Sequence, residues 1–374
     1  MRRLAPLAGA AGVLGSCALV AVLLVHAGQA PARDAAPGPG DTARDRGPQP
    51  AVDPAARRLL QRAAAAPSSV SYRGTQYVSA WASGRSSSHV LEVEHSPVRG
   101  TTWRAPAGAG SGGHVVSSAP DAAEPSLLAA GAATLLARHY SLVAGEAGAR
   151  VAGRDTDVVV ARRPGARAAG APVARFWVDR ETGLALRREV YDRSGRVVRA
   201  SAFVDLSVGA VEPSAEAAVP AEDTGRAWAH TLDDEGVDRL RRHGWACPWS
   251  LPGPLPLVDA RRGGHDRAIV HLSYADGIAS VSVFQQRGSL DPDRLDGYRR
   301  ATIGGHGVWQ RDEVPRTVVW ASGGTVFTLV GDAPERTVDR AVDALHDGAP
   351  AGGGIMERLG RGLDRVGSWF NPAG

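Results

Sequence analysis

Lysine is absent from the 374 residues; all 43 basic residues are arginine, set against 39 acidic residues. That absence excludes a lysine Schiff base and a phosphate-loop lysine. An arginine-only chain suggests phosphate binding, but the wealth of Ala and Gly beside it makes the codon bias of a GC-rich genome the better account. Asparagine occurs once, at Asn371, and cysteine twice, at Cys17 and Cys247. Were the N-terminal segment removed, Cys247 would stand alone, so no internal disulfide could form and stability would rest on burial. No CxxC or CxxH cluster offers a zinc site, and neither GxSxG nor HExxH occurs. His265, His271 and His306 have no compact ligand spacing. A metal, an organic cofactor and an enzyme active site therefore have no support in the sequence. Nucleic acid is a poor fit as well, because no basic and aromatic residues interleave along a face.

What is present begins with an export segment. Arg2 and Arg3 precede an apolar, acid-free stretch at 4–25, long enough to span a bilayer. Residues 1–30 read as a cleaved signal or an uncleaved anchor, and Leu14-Gly15-Ser16-Cys17 adds a lipoprotein alternative. Either way the remainder is expected outside the cytoplasm, near the membrane. Residues 31–50, rich in Pro, Ala, Gly and Asp, read as a flexible tether. Asp53 and Pro54 then supply an N-cap and a first-turn proline for a helix that Pro67 stops.

The most informative stretch is 173–203. Asp179 and Gly183 bracket one tight turn, Asp192 and Gly195 another, and between them Leu184, Leu186, Arg188 and Val190 alternate with Ala185, Arg187, Glu189 and Tyr191. Period two with an apolar bias predicts a three-stranded antiparallel meander with one buried face. The turn positions of Asp179, Glu181 and Asp192 explain these carboxylates as backbone acceptors rather than an acid–base set. Strand-like patterns also fill 69–104 and 150–162, with a helix expected over 126–138. The sequence therefore divides into a β-rich unit at 51–210, a linker at 211–227 and a smaller α+β unit at 228–347. In the second unit, strands are predicted at 267–272, 278–284, 307–311, 316–321 and 325–330, flanked by helices at 232–243 and 334–346. Residues 348–374 supply a glycine break and an amphipathic helix bearing Arg358, Arg361 and Arg365, suited either to a membrane surface or partner or to packing on its own domain.

Aromatics make up only 5% of the chain. Six of them, Tyr72, Tyr77, Trp81, Trp103, Phe176 and Trp177, fall in or beside strands of the first unit, and they are the candidates to line an apolar concavity. Phe176 and Trp177 are neighbours in one strand, so only one of them can line it.

Several motifs in this order resemble the RseB/MucB family of extracytoplasmic regulators of envelope-stress sigma factors. They are 70–75 (VSYRGT), 151–155 (VAGRD), 176–187 (FWVDRETGLALR), 191–195 (YDRSG) and 271–284 (HLSYADGIASVSVF). The resemblance spans roughly 52–347. It implies an α+β architecture: a LolA-like, half-open antiparallel β-barrel closed by helices, followed by a smaller α+β domain. It further implies binding to the extracytoplasmic part of a membrane-spanning anti-sigma factor, which is thereby shielded from regulated proteolysis. A lipid or acylated ligand in the concavity would weaken that complex. On this resemblance His271, Tyr274, Asp276 and Phe284 are the partner-binding residues of the second domain. The alternative is a LolA-like lipid or lipoprotein carrier.

Overall fold

A computed structural model describes residues 48–82, 85–104, 115–117, 127–128, 130–145, 150–166, 170–209, 230–253, 255–263, 269–311 and 315–347. The export segment, nearly all of the tether, the 211–227 linker and the 348–374 tail lie outside them.

Two antiparallel sheets dominate. The first contains β1 (Tyr72–Ala82), β2 (Arg85–Ser96), β3 (Gly100–Arg104), β4 (Val115–Ser117), β5 (Ser141–Ala144), β6 (Thr156–Arg162), β7 (Ala174–Asp179), β8 (Ala185–Tyr191) and β9 (Val197–Val208), in the order β4-β3-β2-β1-β9-β8-β7-β6-β5. Its two ends do not pair, so it is an open half-barrel. Helices α1 (Pro54–Ala65) and α2 (Ala130–His139) cover one face. Asp53 caps α1, its Oδ1 accepting from Ala55 N at 2.9 Å with Pro54 in the first turn. Ala56, Leu60 and Ala63 then recur at helical spacing and are buried against Val159, Ala161, Ala174, Phe176 and Val178. Leu127 and Leu128, expected in the first turn of the second helix, precede α2 and are buried.

The predicted meander is β7, β8 and β9. Asp179 Oδ2 accepts from Thr182 N at 2.9 Å, and Gly183 adopts φ +82; Asp192 Oδ1 accepts from Ser194 N at 2.8 Å, and Gly195 adopts φ +80. Both turns use Asp and Gly for the reasons their chemistry suggests. The strict alternation within β8 does not hold, however. Trp177 pairs with Arg187 and Val178 with Ala185, leaving Leu186 as an extra residue in a β-bulge. The bulge places Ala185, rather than only its even-numbered neighbours, beside the inner-face residue Val178.

The second sheet comprises β10 (His230–Thr231), β11 (Ser250–Leu251), β12 (Leu255–Gly263), β13 (Ile269–Ala275), β14 (Ser280–Arg287), β15 (Arg299–Ile303), β16 (His306–Arg311), β17 (Arg316–Ser322) and β18 (Thr325–Gly331). Its main path runs β10-β12-β13-β14-β18-β17-β16-β15, with β11 paired to β12. α3 (Asp234–Arg242) and α4 (Glu335–Asp347) pack on it through Val237, Leu240, Val338, Ala341, Val342 and Leu345. Strands β12 and β15 were not expected: Pro256 near the start of β12 and the arginine pair opening β15 mask the strand pattern. Pro256 pairs with Ser250 of the two-residue β11, so a missing donor is tolerated there. No helix among the described residues is long and apolar enough to cross a membrane.

Candidate functional site

Cross-strand partners share a face, so the register sorts the aromatics. One row reads Val159, Phe176, Arg188, Ser201 and Val78; it lies on the helix-covered inner face. The adjacent row reads Val158, Trp177, Arg187, Ala202, Tyr77 and Val90; it lies on the opposite face, buried at Val158 and Trp177 and exposed at Tyr77 and Val90. Tyr77 and Trp81 are 40% and 42% exposed there, and Arg187 stacks 4.8 Å from the Trp177 ring. The six candidates are therefore not one lining. Tyr72, Trp103 and Trp177 belong to one buried cluster and Phe176 to the helix-covered one, whereas Tyr77 and Trp81 are exposed. The period-two parity of β1 already separates position 72 from 77 and 81.

Tyr72 and Trp103 border a small cavity together with Ala63, Pro67, Gln76, Val93, Leu127, Leu128, Leu184, Ala185 and Phe203. Phe176 is fully buried beneath the helices instead. The cavity is closed down to about 10 Å³, roughly one water-sized sphere. Its wall is tied together by His95, whose Nε2 donates to Pro67 O at 2.7 Å while Nδ1 accepts from the Thr101 hydroxyl at 2.7 Å; the ring stacks on Tyr72. The short 3₁₀ turn Ala66–Ser68 is thereby pinned to β2 and β3. Sequence reasoning missed Gln76, Val93 and Phe203. Gln76 carried a signal: it shares the parity of Tyr72 on β1.

The two sheets meet at a polar contact. Tyr140 OH donates to Asp276 Oδ2 at 2.6 Å, and Asp276 Oδ1 accepts from Ile278 N and Ala279 N, both at 2.8 Å. Arg188 donates through Nη2 to Ile278 O at 2.6 Å. Arg199 pairs with the Asp332 carboxylate and donates to Asp332 O at 2.6 Å. Gly277, at φ +93, would bring a Cβ to within 2.9 Å of Ala132 O, so close approach as well as turn geometry requires glycine. Burial and Asp276 push the Tyr140 phenol well above its usual value. Burial, with Arg199 nearby, draws the Arg188 guanidinium down to about 10.

These contacts revise the partner-binding set. Asp276 is engaged within the chain. Tyr274 is fully buried, its OH donating to Pro248 O at 2.9 Å, and it presents no surface. His271 is also buried and stacks on its cross-strand partner Phe284 at 4.3 Å. Phe284 alone of the four is partly accessible. Elsewhere, burial pushes the Cys247 thiol up to about 12, which makes it unreactive at neutral pH.

An open antiparallel sheet with helices over one face, joined to a second antiparallel sheet, makes this an α+β protein. Residues 112–224 match the family model described as the MucB/RseB N-terminal domain. The sigma factor AlgU regulatory protein MucB of Pseudomonas aeruginosa is 28% identical over 180 residues, 46% of this chain and 51% of that protein. Over these parts of its length the chain is similar to RseB/MucB proteins. The chain spans about half the length of that curated relative. Among solved structures, the crystal structure of MucB is 19% identical with a TM-score of 0.46, covering 78% of this chain and 98% of that one. The Pseudomonas aeruginosa MucA/MucB complex is 22% identical with a TM-score of 0.42, at the same two coverages.

Proposed function

We propose that this protein is an exported, non-enzymatic regulator that binds the extracytoplasmic segment of a membrane-spanning anti-sigma factor and shields it from proteolysis. The match of 112–224 to the MucB/RseB domain is the observation that carries this reading. Residues 51–210 and 228–347 are its two working units, and the apolar segment at 4–25 delivers them across the membrane or holds them at its outer face.

Release follows when a lipid-like ligand enters the inner cavity. A lipid needs far more than 10 Å³, so entry must displace part of the wall. Ala185 and Phe203 border the cavity, while Arg188 and Arg199 on the same two strands, β8 and β9, hold the second sheet. Widening the cavity therefore strains the contact between the sheets, which offers a route from ligand to partner surface.

Calorimetric titration of the full-length protein with the anti-sigma segment, repeated with lipid, tests this. Saturable one-to-one binding that lipid weakens is expected, and linkage makes the antagonism reciprocal. Lipid uptake without any anti-sigma binding would overturn the regulator in favour of a LolA-like carrier.

A further inference from the structure

The large apolar side chains left exposed among the described residues all belong to the first unit, and Tyr77, Trp81 and Val90 share one face of β1 and β2. Exposed apolar groups that cluster mark contact surfaces. Tyr77 OH donates to Ser88 Oγ at 3.0 Å, and Ser88 pairs with Ser79, so the ring lies across the sheet and Ser79 is buried. Ala202 pairs with both Tyr77 and Arg187, and Ala200 with both Ser79 and Glu189. A floor of two alanines on β9 therefore separates Tyr77 and Trp81 on β1 from Arg187 and Tyr191 on β8. Glu189 accepts from Arg187 and from Tyr191 OH, which holds that wall in place. Two strand spacings make this shallow trough about 10 Å wide, enough for one extended chain.

We propose that the trough is a docking site for a proline-rich extended segment, and that its occupant is residues 31–47 of this same chain. The inference is independent of the anti-sigma and lipid parts of the proposed function. The segment carries Pro31, Pro37 and Pro39 with Arg33, Arg44 and Arg46. Proline-rich chains dock in aromatic-lined grooves because they are extended beforehand and lose little entropy on binding. Reach supports the same-chain assignment. Pro48 lies over Gly165, just past the end of β6: a Cβ on Gly165 would come within 2.8 Å of Pro48 Cγ. From the end of β6 one cross-strand row, Ala161, Ala174, Val190, Arg199 and Ala80, leads to the neighbour of Trp81. That is about 19 Å at four strand spacings, whereas Pro39 to Pro48 spans about 28 Å as polyproline II. With Pro39 beside Trp81, Arg33 lies about 19 Å further along. That matches the roughly 20 Å from Trp81 to Thr75 on β1. There Asp205, exposed and paired in register with Thr75, has no ion pair among the described residues and receives the arginine. Docked in this way, the tether fixes the orientation of the first sheet relative to residues 1–30.

Disulfide trapping tests this in the full-length chain carrying Cys17→Ser, in which Cys247 stays buried and unreactive. Gly38→Cys is combined with Ala202→Cys on the trough floor or with Val143→Cys on β5. Val143 follows Leu142, which bonds to Ala51 and Asp53, so an undocked segment meets position 143 at least as often as position 202. Relative to the reaction of each sheet cysteine with glutathione, the 38–202 disulfide should form at least about tenfold faster than the 38–143 one. Tyr77→Ser with Trp81→Ser should bring the two rates together, and both side chains are exposed, so the fold is spared. Equal rates before that change would overturn docking. A difference that survives it would overturn the aromatic trough as the site. A 38–202 disulfide joining two molecules would overturn the same-chain assignment in favour of a second copy.

Discussion

Gln285 and Gln76, buried glutamines of opposite sheets, receive different treatment. Gln285 on β14 is fully buried and satisfied: its Oε1 accepts from Ala246 N at 3.1 Å and its Nε2 donates to Ala246 O at 2.8 Å. It acts as a backbone surrogate, fixing the 243–249 connection to the sheet. Gln76 on β1 is nearly as buried and serves no such purpose. The contrast extends to the surroundings. One continuous core fills the second sheet, with Trp320 stacked on Phe327 at 4.9 Å. The apolar residues of the first sheet split into two main clusters with a cavity at their margin. The second sheet is therefore packed as one unit, and the first as two.

The sharpest way to break this comparison is to truncate aromatics in both sheets. Trp320→Ala should cost about 3–5 kcal/mol, the usual range for a fully buried aromatic, read by guanidinium denaturation. Trp103→Ala should cost less, because its side chain already borders empty space. Equal losses would mean that the first sheet is packed as firmly as the second. Next come the glutamines themselves. Gln285→Leu strands a buried donor and acceptor of Ala246 and should cost about 2–4 kcal/mol. Gln76→Leu should change stability by less than about 1 kcal/mol, or raise it, since no protein partner is lost.

A smaller effect is expected where the sheets meet. Arg199→Met removes the Asp332 pair and should cost about 2 kcal/mol, as for hydrogen bonds between charged groups with partial exposure. It should also separate the unfolding transitions of the two sheets in calorimetry; a single unshifted transition would argue against coupling through this contact.

Acid stability probes the two turns of the first sheet's meander. Burial pushes the Asp179 carboxyl up, but hydrogen bonds from Arg154 and Thr182 outweigh it and leave the value lowered. The Ser194 hydroxyl and the Arg196 and Ser194 backbone bonds lower Asp192 to about 2. Both folded values lie below the unfolded one, so the unfolded chain takes up protons first as pH falls. Stability is therefore intact above about pH 4 and lost progressively towards pH 2. Thermal melts at pH 2–5 should show this slope, and Asp179→Asn should flatten it. The least effect belongs to Glu235→Ala on α3, whose exposed pair with Arg239 is worth only about 0.3–0.5 kcal/mol.

Much of this was legible in the sequence because local chemistry governs it. The Asp53–Pro54 start of α1, the Asp and Gly residues of both meander turns, and the strands of β7 to β9 each follow from short-range patterns and appear where expected. Strands β12 and β15 were hidden because a proline and a charged opening mask their periodicity. The fate of the aromatics was half legible. Parity along β1 divides Tyr72 from Tyr77 and Trp81, but relating β1 to β7 needs the pairing of β1 with β9 and β9 with β8. Nor does 184–190 announce that Leu186 is a bulge, since the extra residue is defined only against Trp177 and Val178 on the neighbouring strand.

By itself, then, the sequence determined the start of α1, the three strands of the meander with their two turns, and the absence of lysine. Only the tertiary structure decided that Asp276 joins the two halves, that Tyr274 is core, and that Gln76 borders a cavity beside Phe203. Those outcomes depend on which residues distant in sequence are pressed together, and in each case the deciding partners, Tyr140, Pro248 and Phe203, come from a different segment of the chain.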